Sequence, residues 1–454
     1  MILETVKSEI TAHLSYLFGM GKEAVAVDPQ RDCRVYAEIA KREGVDIHYI
    51  FETHRNEDYV IGSKELSDIT GAEIYHGTWP GFEYGLTTYD GQEFELERFT
   101  VEALHTPGHT PGCNSYVIYD KTSGDIPVIV FTGDALFVNE VGRVDLGGDV
   151  KKPVWSANLY DSIHEKLLPL GDNVIVCSAH GAGSVCGSNI AEREVTTLGT
   201  ERLMNPVLQM SREEFIEYKV KEHQEYPPYF RMMEKLNKEG APPVGFGPNP
   251  KPLSPSDFKK QLEKEEIIVD TRSPTSFASG HIRGAYNAFT PLLGSIGWVL
   301  PYDKPILLVL DEETNLEKVS KGLVRIGYDY QVGYLSGTMV EWYREGYQLA
   351  RLETMTVYEL NKDLESGEEW HVLDVRGVDE YETGHIEGSQ NLYVGRVDKE
   401  HEKVPADVPV AVICSSGVRS SFASSMLLRN GFENIHLTLG GLHAWKKAGF
   451  PTVE

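Results

Sequence analysis

A repeat of domain size in the C-terminal half constrains the fold of this chain more than any other feature of its sequence. Asp270-Thr-Arg272 returns as Asp374-Val-Arg376, and Gly280-His-Ile returns as Gly384-His-Ile, both at an offset of 104 positions. That period is too long for a solenoid unit, which has about 20–50 residues. Each copy alternates short apolar runs with helical patterns, which predicts a parallel sheet covered by helices on both faces. The sequence therefore predicts two successive doubly wound α/β domains.

A segment rich in proline and glycine marks the boundary in front of the repeat. At this density of Pro and Gly, residues 241–253 cannot hold a helix or a strand. Shortly before it, Ser211 followed by Glu214 is the capping pattern of a helix N-terminus. A chain of 454 residues is long enough for about three domains. We predict a larger N-terminal domain over residues 1–240, a linker over 241–253, and repeat domains over 254–352 and 353–454.

The net charge of −26 narrows the classes of partner. It argues against nucleic acid and against an anionic membrane surface, both of which repel an acidic protein. No run is long and apolar enough to span a bilayer, and the N-terminus shows no secretory signal. Five cysteines scattered over the chain do not form a disulfide framework. We expect a cytoplasmic homo-oligomer with reduced thiols that acts on small molecules.

Cys414 ends an apolar run of strand character in the second copy of the repeat. A short loop and a helical pattern follow, and this active-site loop contains Ser415, Ser416, Gly417, Val418 and Ser420. Such a loop directs backbone N–H groups and a helix N-terminus at the sulfur, and with Arg419 they favour a thiolate or the terminal sulfur of a persulfide. A free cysteine at a strand end is otherwise a buried structural residue. The spacing Cys-Ser-Ser-Gly-Val-Arg favours the catalytic interpretation of Cys414 and Arg419.

The first copy of the repeat differs at this position. Leu310 stands where the second copy has Cys414, and Asp311-Glu-Glu follows it. Leucine offers no nucleophile, and the carboxylates repel an anionic sulfur. Both copies resemble rhodanese domains over nearly their whole length, a family whose active-site cysteine carries a transferable sulfur. The resemblance implies sulfurtransferase activity at Cys414 and an inactive first copy that serves packing or docking.

Four polar side chains of the N-terminal domain stand at predicted strand ends or in a predicted loop. His54, Asp134 and His180 each close an apolar run, and His109 lies in a loop rich in proline and glycine. Because the ends of neighbouring strands meet at one edge of a sheet, we expect these side chains to converge. Imidazole and carboxylate groups suit a first-row transition metal. The sequence therefore predicts a metal site in this domain.

This set resembles the metallo-β-lactamase family, whose first motif is His-x-His-x-Asp-His and whose later motifs are Thr-Pro-Gly-His, Gly-Asp and a last His. The resemblance implies an αββα sandwich for residues 1–240. The chain departs from the first motif, because Asn56 and Tyr59 replace its second and third His, whereas Asp58 is kept. In the two-metal hydrolases of this fold, each metal needs one of these two His. The departure therefore argues against a dinuclear zinc hydrolase.

The persulfide dioxygenases of this fold hold iron at the positions that match His54, His109 and Asp134. Two imidazoles and one carboxylate are the ligand set of mononuclear non-haem Fe(II) oxygenases, and they leave three positions open for substrate and O₂. The resemblance implies one Fe(II) per chain, with zinc as the alternative metal. Gly142-Arg143-Val-Asp145 resembles a loop near the active site of this family. The resemblance implies that Arg143 lies beside the metal ligands or holds an acidic thiol substrate, and an ordinary surface Arg is the alternative interpretation. The other residues expected around the metal or the substrate are Asn56, Asp58, Tyr59 and His180.

Together the two resemblances imply a fusion enzyme of sulfide and persulfide metabolism. A low-molecular-weight thiol persulfide would be oxidised by O₂ to sulfite at the iron, and Cys414 would transfer a sulfane sulfur to sulfite, which gives thiosulfate. Two other interpretations stay open. One is a zinc-dependent hydrolase of glutathione thioesters, similar to glyoxalase II, and the other is a non-oxidising sulfur carrier with a degenerate metal domain. Metal content separates the three interpretations: one iron, two zinc ions, or none.

Overall fold

The computed structural model describes residues 1–187, 189–264 and 266–454. The chain divides into two compact units. The first comprises Met1–Gly247 together with Val324–Gly327, and the second comprises Pro248–Leu323 together with Tyr328–Glu454. Among the described residues, no helix is both long and apolar enough to cross a membrane.

Six strands form the first sheet of the first unit. They are β1 (Ile2–Ser8), β2 (His13–Met20), β3 (Glu23–Val27), β4 (Asp46–Phe51), β5 (Glu73–His76) and β6 (Leu86–Thr87). The strands lie side by side in sequence order. β1, β2 and β3 pair antiparallel, and β3 to β6 pair parallel. The polar turn that carries His54 follows β4, in the parallel half of the sheet.

The second sheet of this unit is built from strands later in the chain. These strands are β7 (Gln92–Glu95), β8 (Phe99–His105), β9 (Asn114–Asp120), β10 (Ile126–Gly133), β11 (Leu136–Phe137), β12 (Glu140–Val141), β13 (Ile175–Ser178) and β14 (Thr196–Thr197). The sheet order is β14-β13-β10-β9-β8-β7, whereas β11 and β12 pair with each other. β10 and β13 run parallel, so the residues that follow them meet at one edge of the sheet.

Helices cover the outer faces of both sheets. They are α1 (Arg34–Glu43), α2 (Ser63–Thr70), α3 (Lys152–Asp161), α4 (Leu198–Met204), α5 (Arg212–Lys221) and α6 (Phe230–Glu239). α1 packs on the first sheet through Tyr36, and α3 and α5 pack on the second through Leu159 and Phe215. Apolar side chains of the two sheets, among them Phe18 and Phe131, fill the layer between them. This arrangement is the predicted αββα sandwich.

The N-terminus of α5 follows the predicted capping pattern. The Ser211 side chain accepts a hydrogen bond from the Glu214 N–H, and the Glu214 carboxylate accepts one from the Ser211 N–H. Both bonds satisfy N–H groups that a helix N-terminus leaves without intrahelical partners.

Each copy of the repeat folds into a five-stranded parallel sheet. The first sheet contains β15 (Lys251–Leu253), β16 (Ile267–Asp270), β17 (Tyr286–Asn287), β18 (Ile306–Val309) and β19 (Gln331–Leu335). The second contains β20 (Glu353–Thr356), β21 (His371–Asp374), β22 (Gln390–Asn391), β23 (Val410–Ile413) and β24 (Ile435–Leu439). The orders are β15-β19-β18-β16-β17 and β20-β24-β23-β21-β22, so corresponding strands take corresponding places. The prediction of two similar α/β folds is confirmed.

The helices of this unit alternate with the strands. In the first copy they are α7 (Pro255–Leu262), α8 (Pro274–Ser279), α9 (Leu316–Arg325) and α10 (Thr338–Arg344). In the second copy they are α11 (Val357–Ser366), α12 (Val378–Glu382), α13 (Val397–Glu400), α14 (Val418–Arg429) and α15 (Gly441–Lys447).

The repeated sequence motif builds a structural ion pair in both copies. The Arg272 guanidinium pairs with Asp270, with Nη2 2.6 Å from Oδ2, and also donates to the carbonyl of Gly280. Arg376 and Asp374 repeat the pair at 2.6 Å in the second copy. The Asp side chains are 0–1% exposed. A buried charge needs a partner of this kind, which explains why the motif is present in both copies.

The linker differs from the sequence prediction at its end. Residues 251–253, which were assigned to the linker, form β15 and pair in parallel with β19. β15 is an edge strand, and an edge strand tolerates Pro252 because one side of its backbone needs no partner. The boundary between the two units, after Gly247, lies within the predicted linker.

Hydrogen bonds join the two copies of the repeat inside the second unit. Asn287, at the end of β17, accepts from Ser421 Oγ through its Oδ1 at 2.5 Å, and its backbone N–H donates to Ser425 Oγ at 3.1 Å. Both serines are buried on α14, the helix that follows Cys414. The first copy therefore contacts the helix on which the second copy's active-site loop depends.

Candidate functional site

The three predicted metal ligands lie together in the first unit. His54 follows β4, His109 lies in the loop between β8 and β9, and Asp134 directly follows β10. All three side chains are buried. His54 Nε2 and His109 Nε2 lie 3.7 and 3.5 Å from Asp134 Oδ2. The convergence expected from the strand ends is present.

A fourth donor atom, which the sequence analysis missed, faces the same point. Glu57 Oε2 lies 3.7 Å from His109 Nε2 and 4.0 Å from His54 Nε2. These distances are too long for hydrogen bonds. Among the described residues, none provides a hydrogen-bond partner for any of the four buried atoms: His54 Nε2, Glu57 Oε2, His109 Nε2 and Asp134 Oδ2. Buried polar atoms without partners are rare in proteins, so four that converge indicate a cation site.

Hydrogen bonds at the other ring nitrogens fix the orientation of the two imidazoles. Thr53 Oγ1 donates to Asp28 Oδ2 at 2.6 Å, so it can accept from His54 Nδ1, which lies 2.9 Å away. His109 Nδ1 donates to the carbonyl oxygen of Arg143 at 2.8 Å. With Nδ1 protonated in both rings, each Nε2 presents its lone pair to the centre of the cluster. Metal-binding histidines are commonly held in this way.

The electrostatics of the cluster favour a neutral His54 and an ionised Asp134, whereas they favour a proton on His109. Burial lowers the pKa of His54 to about 4, so its imidazole is neutral at pH 7. Burial would raise the pKa of Asp134, but His180 and His54 hold it well below its ordinary value. For His109, the lowering by burial is outweighed by the carboxylates of Glu57 and Asp134, which raise its pKa. A proton on that imidazole is one that a bound cation would displace.

The other four residues expected around the metal or the substrate lie in two pairs beside the cluster. His180 lies between two carboxylates, with Nδ1 2.7 Å from Asp134 Oδ1 and Nε2 2.9 Å from Asp58 Oδ2. Tyr59 Oη donates to Asn56 Oδ1 at 2.7 Å. Asn56, Asp58, Tyr59 and His180 all lie next to the cluster. Among the described residues, His180 Nε2 and Asp58 Oδ1 have no hydrogen-bond partner, and Asp58, His180 and Cys186 form a second group that could hold a metal ion.

Arg143 lies beside the cluster, where its carbonyl oxygen accepts from His109 Nδ1. Its guanidinium is 1% exposed and pairs with Asp145 through two contacts of 2.7 Å. It also donates to the carbonyl of Val185 at 3.0 Å. An Arg whose N–H groups are used in this way holds its loop and the carbonyl that orients His109. The structure thus shows Arg143 in contact with a predicted metal ligand, and its contact with a thiol substrate stays a prediction.

The second candidate site surrounds Cys414. The structure shows the expected strand, loop and helix, because β23 ends at Ile413 and α14 begins at Val418. The Gly417 N–H donates to Cys414 Sγ at 3.1 Å, and Ser420 Oγ lies 3.5 Å from the same sulfur. Gly417 has a φ of 97°, a conformation that glycine adopts without strain. The loop therefore presents a backbone donor to the sulfur.

Arg419 is held by an acidic residue that the sequence analysis missed. Its Nη1 and Nη2 lie 2.6 and 2.8 Å from the two carboxylate oxygens of Glu380, and Nη2 also donates to Ser415 Oγ at 2.7 Å. Burial would lower the pKa of Arg419, but Glu380 and then Cys414 raise it. We expected Arg419 to hold the sulfur directly, whereas the structure shows it in a two-point pair with Glu380 and within electrostatic range of Cys414.

The two missed acidic residues differ in the signal that could have revealed them. Glu57 stands beside Asp58 in a short polar turn and two positions after Arg55, so an acid with a local counter-ion was visible. Glu380 pairs with a residue 39 positions away, and no local pattern points to it.

Both units match known protein families. Residues 10–180 match the metallo-beta-lactamase superfamily, and residues 254–345 and 356–448 match the rhodanese-like domain family. The chain is 32% identical to the mitochondrial persulfide dioxygenase ETHE1 of Bos taurus over 240 residues, which are 51% of this chain and 80% of that protein. It is 29% identical to the hydroxyacylglutathione hydrolase GloC of Haemophilus influenzae over 210 residues, which are 41% of this chain and 88% of that protein.

A solved structure covers more of the chain. The crystal structure of a metallo-beta-lactamase from Staphylococcus aureus superposes with a TM-score of 0.65 at 28% sequence identity, and the match covers 74% of this chain and 98% of that one. With 32% identity over four fifths of the bovine enzyme, the chain belongs to the metallo-β-lactamase superfamily, as a homologue of the ETHE1 persulfide dioxygenases that also carries two rhodanese-like domains.

Proposed function

We propose that this protein oxidises a low-molecular-weight thiol persulfide to sulfite at a single iron ion in its first unit, and transfers a sulfane sulfur at Cys414 in its second. The persulfide dioxygenase homologues and the two rhodanese-like domains support a role in sulfur metabolism with small sulfur compounds as substrates. The product of the transfer would be thiosulfate. We also propose a cytoplasmic location and a homo-oligomeric state.

The observation that carries the proposal is the buried cluster around Asp134. His54 and His109 each turn an Nε2 toward Asp134 Oδ2, and neither nitrogen has a hydrogen-bond partner among the residues that the structure describes. Two imidazole nitrogens and a carboxylate oxygen fit a divalent first-row metal, and they are the ligand set of non-haem Fe(II) oxygenases. His54, His109 and Asp134 would hold the ion. Bound Fe(II) would supply O₂ activation and a Lewis-acid position for the persulfide sulfur.

The overall oxidation balances without a further reductant. A persulfide anion, O₂ and water give the free thiol, sulfite and one proton. The sulfur–sulfur bond breaks, the outer sulfur loses electrons to O₂, and the inner sulfur leaves as the thiol. The protein contributes oriented ligands and a dry site, since all three ligands are at most 1% exposed.

Sulfur transfer needs only the second unit. The Cys414 thiolate attacks the outer sulfur of a persulfide, the sulfur–sulfur bond breaks, and the released thiol takes a proton. Cys414 then carries a persulfide, whose outer sulfur passes to sulfite and forms thiosulfate, which returns the thiolate. The Gly417 N–H and the nearby charge of Arg419 stabilise the anionic sulfur in both states.

A zinc-dependent thioester hydrolase is the second candidate, because GloC of Haemophilus influenzae is among the relatives. A two-metal site needs ligands at the positions of Asn56 and Tyr59. Those two residues offer no imidazole and bind each other. The loss of both His favours one metal, and a second ion would have to be held by Asp58, His180 and Cys186. The third alternative, a sulfur carrier with no metal, does not explain why four buried polar atoms of the cluster lack hydrogen-bond partners among the described residues.

Metal analysis tests the proposal directly. Protein purified without oxygen should contain about one iron per chain, and a thiol persulfide should trigger O₂ uptake. His109→Ala should abolish both, because it removes a ligand from a three-residue set. His164→Ala, which removes a half-buried imidazole from another part of the unit, is the matched control and should change neither. Two tightly bound zinc ions in active protein would contradict the proposal.

A further inference from the structure

We propose that Glu57 is a fourth protein ligand of the metal, so that the site consists of two imidazoles and two carboxylates. The inference rests on the proposed metal centre and extends it. Glu57 stands between Asn56 and Asp58 in the turn after β4. It occupies a variable position of the family's first motif, His-x-His-x-Asp-His.

The distances fit a shared ion. Two ligand atoms that each lie about 2.1 Å from one metal are about 3.0 Å apart when adjacent and about 4.2 Å apart when opposite. Glu57 Oε2 lies 3.7 Å from His109 Nε2 and 4.0 Å from His54 Nε2. Asp134 Oδ2 lies 3.5 and 3.7 Å from the same two nitrogens. All four separations fall inside the window, and those of Glu57 are nearly the same as those of Asp134.

The backbone explains why Glu57 faces inward. Asn56 has a φ of 59°, in the left-handed region that asparagine tolerates better than most residues. The Asn56 side chain turns to Tyr59 and to the carbonyl of His54. The change of chain direction at Asn56 gives the next side chain, Glu57, access to the cluster. The substitution of the family's second His and the inward carboxylate are therefore parts of one local rearrangement.

Arg55 fixes one oxygen of Glu57 and leaves the other for the metal. Its Nε and Nη2 lie 3.0 and 2.7 Å from Glu57 Oε1. Arg55 is itself held by Glu234 at 2.8 Å and by the ring of Trp79. Glu57 Oε2 is thereby directed at the two imidazoles, with no hydrogen-bond partner among the described residues. Metal-binding carboxylates are commonly oriented by a hydrogen bond to their second oxygen.

The charges of Glu57 and Asp134 also indicate that a cation lies between them. Glu57 and Asp134 are both 0% exposed and turn a carboxylate oxygen without a hydrogen-bond partner toward the same two imidazoles. Two buried carboxylates that face one cavity destabilise each other unless a cation lies between them. A divalent ion bound to both would be neutralised by the two carboxylates. Glu57 would then take one of the positions that His54, His109 and Asp134 leave open for substrate and O₂.

The first test measures Fe(II) affinity in competition with a coloured chelator under anaerobic conditions. Glu57→Gln should weaken binding by at least about 10-fold, because losing even an outer partner of a metal ligand costs that much. Glu52→Gln is the matched control. Glu52 is also fully buried in the same turn, but it binds Tyr84 at 2.8 Å, and its substitution should leave Fe(II) affinity unchanged. The absorption spectrum of Co(II)-loaded protein should change in Glu57→Gln and not in Glu52→Gln.

A second measurement uses the wild-type protein, so it does not depend on whether a variant folds. In crystals loaded with Co(II), anomalous scattering should place the ion roughly 2.0–2.2 Å from Glu57 Oε2. An ion bound at His54, His109 and Asp134 but more than about 3 Å from Glu57 would overturn the inference. Unchanged Fe(II) affinity in Glu57→Gln would do the same and leave the proposed function standing. Wild-type protein that binds no iron would contradict the proposed function itself.

Discussion

The two copies of the repeat have the same strand order and differ in the loop that carries the chemistry. In the second copy, β23 leads to Cys414, and the Gly417 N–H donates to its sulfur. In the first copy, β18 leads to Leu310. Glu313 stands at the place of Gly417, and its carboxylate accepts from the Gly337 N–H at 2.6 Å. The corresponding loop presents an N–H donor to a sulfur in the second copy and is closed by an acidic side chain in the first.

The residues that maintain the fold are separate from the residues that perform chemistry. The buried pair Asp270–Arg272 recurs as Asp374–Arg376 with the same geometry. At the offset of 104 positions, Leu310 replaces Cys414, Ser276 replaces Glu380 and Asn315 replaces Arg419. The first copy thus lacks counterparts of Cys414, Glu380 and Arg419, whereas it contains the same buried Asp–Arg pair as the second copy.

Among variants of the second copy, the one that removes the nucleophile should lower sulfurtransferase activity the most. Cys414→Ser should lower sulfurtransferase activity by about 10³-fold or more, the scale of losing a covalent nucleophile. Persulfide-dependent O₂ uptake should persist, since its ligands lie in the first unit. Product analysis should show thiosulfate from the wild type and sulfite from the variant. Cys33→Ser, at a buried cysteine outside both sites, should release the wild-type products. Thiosulfate at the wild-type rate from Cys414→Ser, after correction for the spontaneous reaction, would refute the role of Cys414.

Removing the cation should have the next largest effect. Arg419→Ala should lower sulfurtransferase activity by about 10- to 100-fold, the value of a hydrogen bond or contact with a charged group. Activity remains because the Gly417 N–H still faces the sulfur. Lys447→Ala removes an exposed cation from α15 of the same domain and should leave activity unchanged. Equal losses in Arg419→Ala and Cys414→Ser would mean that the loop cannot act without this cation.

Glu380→Gln should have a smaller effect on activity than Arg419→Ala, because Arg419 keeps its charge and one acceptor. Burial would raise the pKa of Glu380, but Arg419 and Ser415 hold it at about 2. A carboxyl whose pKa is lowered in the folded state stabilises it above the ordinary value of about 4.5, and this stabilisation is lost as the pH falls toward 2. The pair is partly exposed, so we expect about 1 kcal/mol at pH 7. Thermal unfolding of wild type and variant should differ more at pH 7 than at pH 4. The opposite order would show that Glu380 is not charged in the folded protein.

Restoring the nucleophile alone should have no effect. Leu310→Cys, made in the Cys414→Ser protein, should not recover sulfurtransferase activity. The new thiol would be buried, without a glycine amide at the position of Gly417 and without the Arg419–Glu380 pair. Thiosulfate formation by this double variant would show that the first copy lacks only its nucleophile.

Motifs and periodicity were sufficient to predict much of this structure. The repeat predicted two parallel sheets, because apolar runs that alternate with helical patterns have few other solutions. His54, His109 and Asp134 were predicted together, because residues that end neighbouring strands meet at one edge. Glu57 was missed because it belongs to no recognised motif position, although it stands in the same polar turn as Arg55. Only the folded turn shows that its carboxylate faces the two imidazoles.

Two further differences come from contacts between distant parts of the chain. Arg143 stands in a loop that resembles an active-site segment, but Asp145 and the carbonyl of Val185 take up its guanidinium. Glu380 reaches Arg419 from another helix. Local sequence can suggest that an Arg binds an anion, whereas the tertiary structure determines which anion it binds.

The hydrogen bonds of Asn287 to Ser421 and Ser425 have a consequence for how such a protein evolves. Asn287 has two roles at once. Its side-chain amide donates to the carbonyls of Asp270 and Arg272, as Asn391 does to Asp374 and Arg376 in the second copy. Its side-chain oxygen and its backbone N–H bind the two serines of α14, behind Cys414. Related chains should therefore inherit this asparagine and its serine partners as a group. An exchange of the first copy between distant relatives should impair the second copy unless these three residues are exchanged with it.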